Sequence, residues 1–125
     1  LARYSALNGY TAECFADASC RCGAVAFRLL LADAEGVAVR TCLSCGAVQP
    51  IADGDDYLDN ATLGECECPC GHGEFQISVG VALYADSIDV RWLYLGCRCT
   101  QCGLIATYGD WKNEHEDYRE LLKKI

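Results

Sequence analysis

Cysteines set one or two residues apart constrain this chain more than any other feature. Of eleven cysteines in 125 residues, ten fall into four tight clusters: Cys20 with Cys22, Cys42 with Cys45, Cys66 with Cys68 and Cys70, and Cys97 with Cys99 and Cys102. Only Cys14 stands alone. Disulfides and bound metal both explain such a density. The spacing is that of metal ligands, and an odd count would strand one thiol in a purely disulfide scaffold. The opening residues, LARYSALNGYTAECF, show no charged segment followed by an apolar run, so no secretion signal is visible. These observations favour metal over disulfides.

The clusters repeat. CRCGAVAF at 20–27 and CPCGHGEF at 68–75 both read C-x-C-G-x-x-x-F, 48 residues apart. CLSCGAV at 42–48 and CTQCGLI at 99–105 both read C-x-x-C-G followed by two apolar residues. The order is the same in each half, which reads as an internal duplication. Nineteen residues separate Cys22 from Cys42, and twenty-eight separate Cys70 from Cys99. The second copy is thus the first with a longer hairpin.

A tight turn bearing two thiolates, with glycine behind the second, can point backbone N–H groups at sulfur, and glycine permits the positive φ this needs. Two such turns facing each other supply four ligands in a tetrahedron, the geometry zinc prefers. One zinc is expected on Cys20, Cys22, Cys42 and Cys45, and a second on Cys68, Cys70, Cys99 and Cys102. Cys14, Cys66 and Cys97 are left over. They read as small core residues, or, for Cys66 and Cys97, as an exchangeable ligand set or redox pair beside the second site. His72 reads as a turn histidine hydrogen-bonded to a thiolate.

Strands should link the turns. Phe75, Ile77, Val79, Val81 and Leu83 alternate with Gln76, Ser78, Gly80, Ala82 and Tyr84, a period of two. ADSID turns the chain and DVRWLYLG returns it. VAFRLLL and VAVRT, turned at DAEG, are the shorter equivalents, and AVQPI and LIATY are third strands. YTAECF reads as an edge strand, and Leu1, Tyr4 and Leu7 as one face of a short helix ended by Asn8-Gly9.

Residues 109–125 read as a helix, capped by Asp110 or Asn113, with Trp111, His115, Tyr118, Leu122 and Ile125 as its apolar stripe. Trp92, Tyr94, Tyr108, Trp111 and Tyr118 read as core filling for the longer hairpin. Residues 52–65, ADGDDYLDNATLGE, read as an acidic linker anchored by Tyr57 and Leu58, since their aspartates lack calcium-loop spacing. The expected architecture is α+β, mostly β. It comprises a first module at 1–51, the linker at 52–65, and a longer second module with a C-terminal helix at 66–125.

Residues 20–51 and 68–108 resemble the zinc-ribbon class of modules, except that the first turn of each copy is C-x-C where ribbons carry C-x-x-C. The resemblance implies metal and no particular function. CRCGAVAF also resembles the opening of the glutathione-dependent formaldehyde-activating family, C-x-C-G-x-V-x-F. CRCTQC at 97–102 resembles that family's C-x-C-x-x-C metal triad, which implies an open catalytic zinc at Cys97, Cys99 and Cys102. The order departs from the family: CLSC alone follows at 42, and no C-x-x-C follows Cys102.

No nucleophile elbow, phosphate loop or dinucleotide turn is present, so no enzyme is expected. Formal charge is −8, and each zinc on four thiolates would add −2, giving −12. Such a surface repels nucleic acid and suits a protein partner, particularly a basic one. No run approaches the ~18 apolar residues of a membrane span, and without address signals the expected compartment is the cytoplasm.

Overall fold

A computed structural model describes residues 2–52 and 62–125. The elements run α1 (Ala2–Asn8), β1 (Cys14–Asp17), β2 (Phe27–Ala32), a 3-10 turn (Asp33–Glu35), β3 (Val37–Cys42), β4 (Val48–Pro50), β5 (Gly64–Glu65), β6 (Phe75–Leu83), β7 (Val90–Cys99), β8 (Ile105–His115) and α2 (Tyr118–Leu122). The chain is mostly β, as its alternation predicts. Among the described residues eight strands join one antiparallel sheet in the order β4-β3-β2-β6-β7-β8, with β1 beside β6 and β5 beside β2.

Each half carries a hairpin, β2–β3 or β6–β7. Their registers correspond: Phe27 lies opposite Cys42, and Phe75 opposite Cys99. The halves meet where Phe27 pairs with Phe75, the same residue of the repeat on both sides. Beyond that junction each half lends a strand to the other. β1 pairs with β6 from Cys14↔Val81 to Asp17↔Ser78, and β5 pairs with β2 at Leu30↔Glu65 and Leu31↔Gly64.

Phe27, Leu29, Phe75, Ile77, Val79, Val81, Leu93 and Leu95 are buried on one face of the sheet, in a core drawn from both halves. Leu121 of α2 and Ile125 beyond it close that core. The sheet curls enough for Trp111 of β8 to lie over the β2–β3 turn, where a Cβ on Gly36 would sit 3.0 Å from the indole. The other face is partly covered by the segment after α1. Tyr10 stacks on Trp92 with ring centroids 4.9 Å apart, and the Tyr94 hydroxyl donates to the Tyr10 carbonyl at 2.7 Å. Tyr108, Trp111 and Tyr118 are half-buried against the core, whereas fully buried Tyr94 and half-buried Trp92 lie under Tyr10 on the other face.

Three expectations need correction. The helix expected over 109–125 is a strand as far as His115, and only Tyr118–Leu122 is helical. Residues four apart share a face in a helix and in a strand alike, so Trp111 and His115 could not decide between them. The exposed edge of the long β7 needed a partner, and β8 supplies it from Arg98↔Ile105 to Val90↔His115. The helix is capped by Asp117, whose side chain accepts the Arg119 N–H at 3.0 Å, rather than by Asp110 or Asn113.

α1 forms where expected, but Leu7 is 85% exposed; the inward residue is Ser5, whose hydroxyl accepts the Ala12 N–H at 2.8 Å. Leu1 and the side chain of Tyr4 lie outside the described residues, as do Asp53, Asp55, Asp56, Tyr57, Leu58 and Asp59 of the expected linker.

Candidate metal centres

Each sulfur is placed by a turn at a strand end. Cys20 and Cys22 follow β1, Cys42 closes β3, and Cys45 lies in the turn before β4. Cys68 and Cys70 lie between β5 and β6, Cys99 closes β7, and Cys102 lies in the turn before β8. The turns are built alike in both halves. Gly23 N–H donates to the Cys20 carbonyl at 2.9 Å and Gly71 N–H to that of Cys68 at 2.7 Å. Gly46 N–H donates to the Cys42 carbonyl at 2.9 Å and Gly103 N–H to that of Cys99 at 3.0 Å. The glycines take φ of 91° and 90° in the first pair and 75° and 77° in the second, values that disfavour any side chain.

These turns bring the sulfurs together in two groups, Cys20, Cys22, Cys42 and Cys45, and Cys68, Cys70, Cys99 and Cys102. Within each group all sulfurs lie within 4.8 Å of one another. Cys20 to Cys45 is 3.5 Å and Cys22 to Cys42 is 3.6 Å; Cys68 to Cys102 is 3.5 Å and Cys70 to Cys99 is 3.6 Å. A disulfide needs about 2.05 Å. A tetrahedral ion with sulfur at about 2.3 Å spaces its ligands at about 3.8 Å. The separations thus suit a shared cation, and either group could hold one metal ion. In every turn the first cysteine is buried and the second exposed, so each group straddles the sheet margin.

Backbone amides favour charge on these sulfurs. The Cys45 N–H, then the Ser44 N–H, draws the Cys42 thiol down to about 6 against its burial. The Cys102 and Gln101 amides draw Cys99 to about 6 in the same way. The Cys22 amide lowers Cys20. Neighbouring sulfurs lower Cys42 and Cys99 further but raise Cys45 and Cys68. Cys45 receives the Ala47 N–H, yet Cys20 and Cys42 beside it raise it to about 11. Cys68 receives the Cys70 N–H, but burial and the three other sulfurs push it to about 12. Four thiolates at this spacing repel, and a divalent cation among them removes that penalty.

Cys14, Cys66 and Cys97 join neither group. Cys97 is 2% exposed, and burial pushes its thiol to about 12; burial also raises the half-buried Cys66. Such thiols stay protonated at neutral pH and behave as core residues. The triad Cys97, Cys99, Cys102 is not assembled: Cys99 and Cys102 converge with Cys68 and Cys70.

The ring of His72 does not bond a thiolate, as the sequence suggested. Its Nε2 lies 3.1 Å from Thr100 Oγ1 and 3.5 Å from Glu74. Its contribution to the site is backbone: the carbonyl accepts Cys68 N–H at 2.7 Å, and the amide opposes the burial and the Cys99 and Cys102 sulfurs that together raise the Cys70 thiol. His115 sits in β8 with Nδ1 2.6 Å from the Glu116 carbonyl.

One neighbour of the first group escaped sequence reasoning. Arg40 is 7% exposed, donates to the Ile125 carbonyl at 2.9 Å, and lies 4.6 Å from the Phe27 ring. An arginine in VAVRT reads as a solvent-facing strand residue, and nothing local marks it as buried. Comparisons with models of protein families, with curated proteins and with solved structures found no match to this chain.

Proposed function

We propose that this is a zinc-binding protein with two structural sites, Cys20/Cys22/Cys42/Cys45 and Cys68/Cys70/Cys99/Cys102, in two duplicated zinc-ribbon-like modules. The carrying observation is the convergence of eight sulfurs into two groups of four, each served by amide-donating turns. Zinc is preferred because four thiolates in a closed tetrahedron suit it, and the chemistry needs no redox change. Each group offers four protein sulfurs, which fills a tetrahedral shell and leaves no position for substrate. The ions then serve folding, at about 10 kcal/mol or more each.

The role that remains is binding, as a protein-interaction or regulatory module. An acidic chain at −8, and −12 with both sites filled, repels phosphate backbones and attracts basic protein surfaces. Among the described residues, no helix is long and apolar enough to cross a membrane. Affinity capture of the zinc-loaded protein, repeated with chelator, tests this. A basic protein retained at low salt and lost on chelation is the expected result. Retention of oligonucleotides instead would replace the reading with nucleic-acid binding.

A further inference from the structure

Displacing the sequence by 48 residues relates the first turn and first hairpin strand of the two halves, and it also relates the bonds between the halves. Ala18 N–H donates to the Ile77 carbonyl at 2.8 Å, and Cys66 N–H donates to the Leu29 carbonyl at 2.9 Å. These are one bond seen twice with the halves exchanged: Ala18 corresponds to Cys66, and Ile77 to Leu29. The ladder obeys the same rule. Asp17↔Ser78 corresponds to Glu65↔Leu30, and Ala16↔Val79 to Gly64↔Leu31. Phe27↔Phe75 maps onto itself, so a local twofold passes through that junction.

The exchange bears directly on the sulfurs. Cys20 and Cys22 sit just beyond β1, which is laid on the second half's hairpin. Cys42 and Cys45 sit at the end of the first half's own hairpin. The first group therefore closes only when the two hairpins are fixed against each other. The second group has the mirrored requirement: Cys68 and Cys70 follow β5, laid on β2, and Cys99 closes β7. An ion in either group ties one hairpin to a strand lying on the other, and so tightens the Phe27–Phe75 junction that both groups need.

The geometry points to two metal sites that fill cooperatively, coupled through the exchanged strands β1 and β5. This rests on the metal reading above. Filling one site removes part of the ordering cost of the other, and the coupling acts equally in both directions. Couplings of this kind typically change affinity by about 5–150-fold.

The test uses the full chain, stripped of metal and titrated with zinc against a chromophoric chelator. Cys22→Ser/Cys45→Ser disables the first site, and Cys70→Ser/Cys102→Ser disables the second. Each surviving site is expected to bind zinc about tenfold or more weakly than the intact chain does. Intact affinity at either surviving site overturns the coupling. Simple misfolding is separated by hydrogen exchange on the first variant at saturating zinc. The amides of Glu13 and Ala18, which bond Val81 and Ile77 across the exchange, are expected to gain protection over the metal-free variant. Protection confined to residues 62–125 overturns the proposal. Fewer than two ions on the intact chain, or cobalt spectra lacking four-sulfur coordination, would instead sink the metal reading itself. Two four-sulfur ions binding independently remove the coupling alone.

Discussion

Glycine follows the second cysteine of Cys20/Cys22, Cys42/Cys45, Cys68/Cys70 and Cys99/Cys102, and each of those glycines has a positive φ. Around Gly23, Gly46 and Gly71 a Cβ would meet nothing within 4 Å, so a side chain there is opposed by backbone strain alone. Gly23→Val or Gly71→Val is expected to cost about 1–2 kcal/mol per site, and asparagine less. Urea denaturation of the zinc-loaded protein measures it; equal losses for valine and asparagine would mean that strain is not the cause. The leftover cysteines are tested by stoichiometry. Cys66→Ala and Cys97→Ala are each expected to retain two zinc ions, because neither sulfur joins a group of four. A drop to one ion in either variant would make that thiol a ligand. At this scale the grouping of the sulfurs was legible, because the structure gathers the eight cysteines of the four repeated turns into two groups of four. The amide bonds to sulfur follow from the same turns. His72 was misread because its ring could be guessed at from adjacency, while its actual partners, Thr100 and Glu74, come from the surrounding fold.

Strands bear out their alternation wherever one face is buried and the other is not, as from Phe75 to Val79. The failure at 109–125 has the opposite cause. KNEHE is polar throughout, and its intrinsic preference is helical. Pairing to β7 overrides that preference, with Asn113 buried between exposed Lys112 and Glu114. Two substitutions probe what holds this end. Gly36→Ala places a methyl 3.0 Å from the Trp111 ring at a φ of 67°, and is expected to destabilise by about 1–3 kcal/mol. A thermal melt that does not move would mean that the turn and β8 yield freely. Asp117 caps α2, takes its N–H bond from Arg119 and accepts the Arg119 guanidinium at 2.9 Å, which holds its carboxyl below the ordinary range. Asp117→Ala removes the cap and is expected to cost about 1 kcal/mol. Asp117→Asn keeps the cap and suits the positive φ of 53°, and should cost less. The order of the two midpoints in urea checks this, and reversal would remove the cap from the account.

Both halves share one sheet and the larger buried cluster. The repeat is visible in the sequence, but the exchange of β1 and β5 is not. Strand partners more than sixty residues apart, such as Cys14 and Val81, leave no local signature. The same holds for the burial of Arg40 beneath the C-terminal residues. Without metal, two groups of thiols that resist joint ionisation sit at the margins of a small core. Chelation is therefore expected to abolish cooperative unfolding throughout the chain, with loss of the near-ultraviolet signal of Trp92 and Trp111. A chelated protein that still melts sharply would mean that the core suffices alone.

The most direct measurement is metal content with coordination: native mass spectrometry of the purified chain, and X-ray absorption at the zinc edge. The account predicts two zinc ions per chain, each with four sulfurs at about 2.3 Å. One ion per chain, or a shell containing nitrogen or oxygen, would contradict it.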